Sequence, residues 1–293
     1  MYALSFATLP AAGIYDKAAW APQEDIIKKC HIYFVGFTER LQFEHAYSEP
    51  GKVTLVYKVG GREYPLIWDF PSGYSIQRDG PKYYIDCPDG VRRWPSAVEI
   101  GTKLNSAGLT TFDVKYIGQA YGTDGSRNAM DRLQKHETLQ KIALLGVPEG
   151  FDLQVLLLEI EPSNRLYTAI NPFSKGNETQ KERISSGIDK MFNTTEEERV
   201  SLYEAAFIRY FSPQYNKEFK NSFPSTRLKI LQDCYEKDFL AVIAEICIDQ
   251  LPWRLKSDMV EPAYFHIAKH DLHSDEDRRA FFQFDPPSSK SET

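Results

Sequence analysis

The sequence predicts a mixed α/β protein of the α+β type, because two different residue patterns follow one another along the chain. Residues 1–95 are rich in aromatic and β-branched residues and are broken by Gly- and Pro-containing turns, as is typical of short antiparallel strands. After Trp94-Pro95, segments with helical spacing alternate with segments of strand-like composition. We expect a β-rich N-terminal module at 1–95, a core at 96–224 with an inserted loop near 163–194, a mainly helical extension at 225–284 and a disordered tail at 285–293.

The N-terminal module is expected to form a small antiparallel sheet or barrel. Gly60-Gly61 lies between two strand-like runs and predicts a tight hairpin. The strand-like runs are 31-HIYFVGF-37, 53-VTLVYKV-59, 63-EYPLIWDF-70 and 82-KYYIDC-87.

In the core, apolar spacing predicts helices that alternate with strands. Thr195 with Glu198 three residues later is a capping-box signature, so a helix should begin there and end before Pro213. The other expected elements are helices at 97–109, 127–145 and 228–249, strands at 113–119 and 151–161, and a surface loop at 171–190.

Composition excludes several classes of protein. Hydrophobic content of 42% with 26% charged residues is ordinary for a soluble globular chain, and the formal net charge of −6 provides no global positive field. Nucleic-acid binding would therefore need a local basic face. The four cysteines form no Cys-x-x-Cys pair, so neither a zinc ribbon nor a disulfide framework is expected. With no basic leader and no apolar run of membrane-spanning length, we expect a cytoplasmic protein without membrane contact.

The helix that begins at Thr195 contains a carboxylate among apolar residues. Glu204 occupies the same helical face as a stripe of large apolar residues, where burying a charge is costly unless a cation, a metal or several donors meet it. An arginine-paired structural glutamate is the alternative interpretation. The stripe consists of Val200, Tyr203, Phe207, Ile208 and Phe211.

A second group of polar residues follows the predicted strand at 113–119. Arg132 and His136 are four residues apart, which places them on one face of a continuous helix. An arginine can hold phosphate oxygens, and an imidazole can donate a hydrogen bond or transfer a proton. Tyr116 precedes Gly118, where the missing side chain allows a close approach. A solvated helix face and a core tyrosine are the structural alternatives.

These residues resemble the GIY-YIG nuclease family in order and context. Tyr116-Ile117-Gly118 matches the family's "YIG" strand, which leads to a helix bearing an essential arginine. The later matches, which include a glutamate-bearing helix and a Pro-x-x-Asn element, are Arg132-Leu-x-x-His136, the strand 153–160, Glu204-x-x-x-Ile208 and Pro213-x-x-Asn216. The resemblance covers roughly residues 98–220 and implies a GIY-YIG-like nuclease core.

The resemblance implies a metal-dependent endonuclease that hydrolyses phosphodiester bonds. Glu204 would bind one Mg²⁺, for which Mn²⁺ can substitute, and Arg132 would neutralise charge on the phosphoryl oxygens. Tyr116 or a second phenol would orient or deprotonate the attacking water. His136 would act as a general base or as a hydrogen-bond donor to phosphate, and Asn216 would brace the site.

The family's first tyrosine is missing from its usual place, a short hairpin before the "YIG" strand. The literal 13-GIY-15 lies far upstream and is interpreted as a chance match. Tyr84, or its neighbour Tyr83, is the expected replacement, and Tyr121 in the following turn is the alternative.

The expected partner is nucleic acid, DNA rather than RNA, and a homo-oligomer or a defence-complex partner is also considered. Restriction or antiphage defence would suit such a nuclease by analogy. The rival hypothesis is a catalytically degenerate nucleic-acid-binding or assembly subunit, and the third is an interaction protein with a coincidental motif. The basic residues expected to contact nucleic acid are Arg127, Lys135, Lys217 and Lys220.

A separate histidine group is expected to be solvated rather than to bind metal. Its members, His266, His270 and His273, have spacing that suits ligands on a helix but lack a cysteine or glutamate companion.

Overall fold

The structure is a computed structural model that describes residues 1–80, 82–120, 129–161, 185, 195–216 and 241–271. It is a mixed α/β fold with a β-rich N-terminal region and a few helices. The strands are β1 (Tyr2–Pro10), β2 (Ile32–Glu39), β3 (Leu41–Glu49), β4 (Lys52–Val59), β5 (Arg62–Asp69), β6 (Ser75–Asp79), β7 (Lys82–Asp86), β8 (Arg92–Arg93), β9 (Thr111–Gln119), β10 (Phe151–Glu161), β11 (Ala241–Cys247), β12 (Arg254–Lys256) and β13 (Phe265–Asp271). The helices are α1 (Lys17–Trp20), α2 (Glu24–Ile27), α3 (Ala97–Ser106), α4 (Ala129–Leu133), α5 (Glu137–Leu145) and α6 (Glu196–Phe211).

A seven-stranded sheet forms the centre of the fold, in the order β12-β9-β2-β10-β1-β11-β13. Strand β2 lies within the predicted N-terminal module, at residues 1–95. It pairs antiparallel with both β9 and β10, which are strands of the predicted core. The predicted boundary at residue 95 is therefore wrong for the sheet. β1 and β2 belong to the central sheet, because their apolar residues pair with β10 and β9 far along the chain.

The other N-terminal strands form two three-stranded sheets, β3-β4-β5 and β6-β7-β8, inserted between β2 and β9. Their shared core contains Val53, Leu55 and Leu66 from the first sheet and Ile85 from the second. The predicted hairpin at Gly60-Gly61 is confirmed: both residues have positive φ, +55° and +85°, which a two-residue turn of this kind requires.

Helices and loop segments cover both faces of the central sheet. One face, with Phe34 and Ile117, packs against α6, whose predicted apolar stripe is buried. The opposite face, with Tyr33 and Tyr116, packs against α2, α4 and α5. The strand predicted at 151–161 is confirmed as β10, the middle strand of the sheet.

Helix α6 begins and ends as its sequence predicts. Thr195 and Glu198 form a reciprocal capping box. Ser212 adopts a left-handed conformation, with φ of +47°, and Pro213 follows it.

Two predicted helices differ from the structure. The helix expected at 127–145 is two helices, α4 and α5, which are separated because His136 leaves the helical conformation and caps α5. Within the segment 228–249, residues 241–247 form strand β11, whose buried and exposed residues alternate on pairing with β13. Helix-favouring residues such as Ala244 and Glu245 are overridden there by sheet pairing. The C-terminal region is therefore not helical where the structure describes it.

Other expectations lie outside the described residues, including most of the loop near 163–194, residues 225–240 and the tail at 285–293. Within the described part of the chain, no helix has the length and apolar character needed to cross a membrane.

Candidate active site at the ends of strands β2 and β9

Two tyrosines from neighbouring strands meet on one face of the sheet. Tyr33 on β2 lies opposite Gly118 on β9, and Tyr116 lies two residues before that glycine. The ring centroids of Tyr33 and Tyr116 are 6.1 Å apart. A Cβ at position 118 would lie 2.6 Å from Cζ and Oη of Tyr33, so only glycine admits the Tyr33 ring.

Tyr33 is therefore a second phenol beside Tyr116, at a position that the sequence pattern did not indicate. The expected replacement, Tyr84, lies on β7 in a different sheet, where the Arg92 guanidinium stacks 4.1 Å from its ring centre. Tyr121 lies outside the described residues. The available signal was 31-HIY-33, an Ile-Tyr pair that opens a strand but has histidine in place of the motif's glycine.

The literal 13-GIY-15 is not part of this pair of tyrosines. Tyr15 lies in a short 3₁₀ segment, is 60% exposed and donates a hydrogen bond of 3.4 Å to the backbone oxygen of Gln134.

His136 connects helix α5 to Tyr116. As the N-cap of α5, its Nδ1 accepts a hydrogen bond of 3.2 Å from the backbone N–H of Leu139. A neutral imidazole whose Nδ1 accepts must carry its proton on Nε2, and this nitrogen lies 3.2 Å from Tyr116 Oη. Burial, and then the charge of Arg132, lower the pKa of His136 to about 4. His136 is thus a neutral donor to Tyr116 at physiological pH rather than a base toward it.

Arg132 contributes the positive charge of the site. It lies on α4 at the protein surface and hydrogen-bonds Tyr33, as does Tyr116. Burial and the charge of Glu204 raise the pKa of Tyr33, whereas Arg132 and the hydrogen bond from Tyr116 act in the opposite direction. For Tyr116, burial and the neighbouring Tyr33 both raise the pKa.

The hydrogen bonds around the phenols therefore form a chain of donors that ends at Tyr33. His136 donates to Tyr116, Tyr116 donates to Tyr33, and Arg132 also donates to Tyr33. Two donors at one phenol oxygen stabilise its anion, which offsets part of the rise that burial causes in the pKa of Tyr33.

Glu204 lies on helix α6, which packs on the face of the sheet opposite Tyr33 and Tyr116. Its side chain on α6 is 1% exposed, and Oε2 accepts a hydrogen bond of 2.6 Å from Gln119 Nε2 at the end of β9. Its charge raises the pKa of both Tyr33 and Tyr116, which places the carboxylate in the same electrostatic site as the phenols. The predicted burial of Glu204 is confirmed. Gln119 was missed, although it directly follows the Tyr-Ile-Gly motif.

Asn216 braces strand β9. Its side chain accepts from the Ile117 N–H at 2.9 Å and donates to the Ile117 oxygen at 2.8 Å. The amide thus acts as a one-residue strand partner for the middle of the Tyr-Ile-Gly motif, at an edge that β12 pairs only at residues 111–113. The bracing role expected for Asn216 agrees with this contact.

The remaining predicted residues lie elsewhere or outside the described part of the chain. Lys135 is exposed in the turn between α4 and α5, on the chain segment between Arg132 and His136. The expected nucleic-acid contacts Arg127, Lys217 and Lys220 fall outside the described residues, as does His273.

The C-terminal histidines are not solvated as expected. His266 is buried on β13, where Nε2 donates to the backbone oxygens of Leu255 and Ala263, and Nδ1 accepts from Tyr210. His270 bonds the Ala206 oxygen of α6. Both side chains join strand β13 to its neighbours, because a buried imidazole must satisfy its polar atoms.

Glu204 supplies one buried carboxylate, a ligand type that Mg²⁺ uses. Mg²⁺ usually retains several waters and binds one or two carboxylates together with phosphate oxygens. The described residues contain no cluster of three His, Cys, Asp or Glu side chains, so Glu204 would be the main protein ligand there. Such an ion would depend on the substrate for further ligands.

Comparisons of the chain with protein-family models, with curated proteins and with solved structures gave no match, so the function must be argued from the geometry of the site itself.

Proposed function

We propose that this protein is a metal-dependent nuclease that hydrolyses phosphodiester bonds through a two-tyrosine site of the GIY-YIG kind. The observation that carries the proposal is the placement of Tyr33 against Gly118 and Tyr116, with Arg132 hydrogen-bonded to Tyr33. A phenol held by an arginine can contact a phosphodiester and orient a water molecule, and Glu204 on the other face of the sheet adds a carboxylate whose charge acts on both phenols.

The connection between the two tyrosine strands supports the proposal. In the family a short hairpin joins the "GIY" strand to the "YIG" strand, and a hairpin makes its strands antiparallel neighbours. Strands β2 and β9 are antiparallel neighbours here too, with the two small sheets inserted in place of the hairpin. This arrangement supports Tyr33 as our candidate for the family's first tyrosine.

In the proposed reaction, the Tyr33 oxygen accepts a hydrogen bond from the attacking water and orients it. The water oxygen bonds to phosphorus and its proton passes to solvent, the phosphorus–oxygen bond to the leaving strand breaks, and the leaving oxygen acquires a proton from solvent. Arg132 stabilises the phosphoryl oxygens as their negative charge develops. His136 fixes Tyr116 so that its hydroxyl remains directed at Tyr33.

Glu204 would hold the divalent cation, which supplies Lewis-acid stabilisation of charge on the phosphate when it is bound. Gln119 and the surrounding helix keep that carboxylate in place. This division separates water activation, on one face of the sheet, from the carboxylate, which comes from α6 on the other.

The rival hypothesis of a binding subunit without activity was motivated by the missing first tyrosine. With Tyr33 as a candidate for that tyrosine, we favour an active enzyme over a degenerate site.

The test is cleavage of end-labelled duplex DNA, single-stranded DNA and RNA by the purified chain with Mg²⁺, with Mn²⁺ and with EDTA. We expect metal-dependent cleavage of DNA that Tyr33→Phe abolishes, because phenylalanine keeps the packing against Gly118 but has no oxygen to orient the attacking water. Tyr84→Phe is the matched control and should retain wild-type cleavage. Full activity of Tyr33→Phe, or no cleavage by the wild-type chain under any of these conditions, contradicts the proposal.

A further inference from the structure

Strand β9 contains one residue more than its pairing with β2 requires. Val35 pairs with Tyr116 and Gly36 pairs with Val114, so Lys115 is left out of the register. Such a β-bulge bends the strand and increases its local twist. The Lys115 bulge therefore separates the half of β9 that follows the inserted sheets from the half that carries Tyr116.

The bulge does not decide which side chains face which side of the sheet. Val114 faces α6 and Tyr116 faces the opposite side, although residues two apart on a regular strand share a face. If Lys115 were removed, Val114, Tyr116 and Ile117 would alternate as they do in a regular strand. The extra residue therefore changes the twist of β9 and the direction of its side chains, while each side chain keeps its face.

Specific contacts fix the bulge on both strands. Lys115 is 8% exposed, and a lysine is rarely buried unless its ammonium group is paired. Its Nζ lies 3.0 Å from Asp113 Oδ2 and 3.4 Å from Asp258 Oδ1, in the turn after β12. On β2, a Cβ at Gly36 would lie 2.5 Å from the backbone oxygen of Asp113, so only glycine admits this approach.

The bulge also lies where the edge of β9 changes its partner. Strand β12 pairs with β9 at residues 111–113, and its pairing ends where the bulge begins. Beyond the bulge, the Asn216 amide binds both backbone groups of Ile117. Tyr116 lies between these two fixed points, with its hydroxyl 3.2 Å from His136 Nε2.

From these contacts we infer that Lys115 is a positioning residue, whose bulge and ion pairs direct the Tyr116 hydroxyl towards Tyr33 and His136. The importance of this position for catalysis rests on the proposed function, whereas the contact of Tyr116 with His136 can be measured without substrate or metal. Misplacing a reacting group by about 1 Å can cost about 10²-fold in rate, so a modest change in twist is sufficient.

The experiment deletes Lys115 and measures the ¹⁵N chemical shift of His136 Nε2 by NMR, in the full chain at neutral pH. This shift responds to the hydrogen bond with Tyr116, and Tyr116→Phe supplies the reference value for a broken bond. We expect the deletion to move the shift most of the way from the wild-type value to that reference. Single-turnover cleavage should fall about 10²-fold, with little change in affinity for DNA.

Deletion of Glu44 is the matched control. Glu44 is the extra residue of a second bulge, on β3 in one of the small sheets, and it is exposed. Its deletion should leave both the His136 shift and the cleavage rate at their wild-type values.

Two point variants separate the ion pairs from the bulge. Lys115→Met keeps the extra residue and the aliphatic stem but removes the ammonium group, so it should move the His136 shift in the same direction by less. Lys115→Arg keeps the cation and should restore the wild-type shift. Lys115→Met also provides the test if the deletion variant does not fold, as judged by circular dichroism.

The outcomes separate the two proposals. The role of Lys115 is overturned if the folded deletion variant keeps the wild-type shift or the wild-type rate, or if deletion of Glu44 moves the shift equally. A lower melting temperature with the wild-type shift, in the deletion variant or in Lys115→Met, would show that Lys115 only stabilises the fold. If the wild-type chain cleaves no nucleic acid, the proposed function fails, and the His136 shift still tests whether Lys115 positions Tyr116.

Discussion

His136 should make the free energy of unfolding depend on pH, because it is buried as a neutral donor. Its pKa is lowered from 6.5 to about 4 in the folded protein, by burial and by Arg132. In the unfolded chain the imidazole returns to its ordinary pKa and binds a proton below pH 6.5. Between pH 4 and pH 6.5 the unfolded state therefore binds more protons than the folded state.

The sign and the size of the effect follow from this difference. The contribution of His136 is fully present above pH 6.5, declines as the pH falls and is lost near pH 4. A shift of this size corresponds to about 3 kcal/mol, since one pKa unit is worth about 1.4 kcal/mol.

The variant that isolates the effect is His136→Asn. Asparagine is a good N-cap, so its side-chain oxygen can still accept the Leu139 N–H while the titration is removed. Urea unfolding followed by circular dichroism at pH 7, 6, 5 and 4 would give the free energy of unfolding for both proteins. Between pH 7 and pH 4 the wild type should lose about 3 kcal/mol more than the variant.

The control is His45→Asn, at an exposed position on β3, which should leave the shape of the wild-type pH curve unchanged. Parallel curves for the wild type and His136→Asn would show that the pKa of His136 does not differ between the folded and the unfolded protein. The donor role of His136 toward Tyr116 would then be wrong.

The other predictions concern the proposed site and its packing. Arg132→Ala should lower single-turnover cleavage by about 10²–10³-fold with little change in affinity for DNA, whereas an equal loss in a salt-dependent binding titration would indicate a ground-state phosphate contact. Glu204→Gln should abolish cleavage with Mg²⁺. Its melting temperature should be unchanged or higher, since a neutral amide is easier to bury beside Gln119 than a carboxylate is. A lower melting temperature would show that Glu204 stabilises the fold. Gly118→Ala should lower the free energy of unfolding by about 1–3 kcal/mol, because the methyl group would overlap Tyr33. The control Gly101→Ala in α3, where the nearest atom to the new methyl group is 4.0 Å away, should raise it by up to about 1 kcal/mol. Equal urea midpoints for the two variants would contradict the close packing at position 118.

The sequence allowed good prediction where structure is local. Helix α6 carries its capping box and apolar stripe within one segment, so both its bounds and the burial of Glu204 could be predicted. The motif led us to expect Arg132 and His136 near the tyrosines. The two residues belong to two short helices rather than to one continuous helix.

Prediction failed where distant strands decide the outcome. Tyr33 enters the site only because β2 pairs with β9, and such register is set by partners that a linear pattern does not show. Strand β11 was assigned to a helix for the same reason, since its pairing with β13 overrides local propensity. Gln119 has no neighbour in sequence that reveals its contact with Glu204.

The insertion of the two small sheets between β2 and β9 has a consequence for how the chain folds. Pairing Tyr33 with Gly118 requires the chain to close over residues 40–110, several times the length of a hairpin turn. About four doublings of loop length, from a turn of about four residues, would cost roughly 2.5 kcal/mol of chain entropy in the transition state. Contacts at the base of the insertion, where Glu39 accepts from both the backbone and the side chain of Thr111, hold its two ends together. If the small sheets fold first, they bring these ends close, and strands β2 and β9 can then pair as quickly as a simple hairpin does.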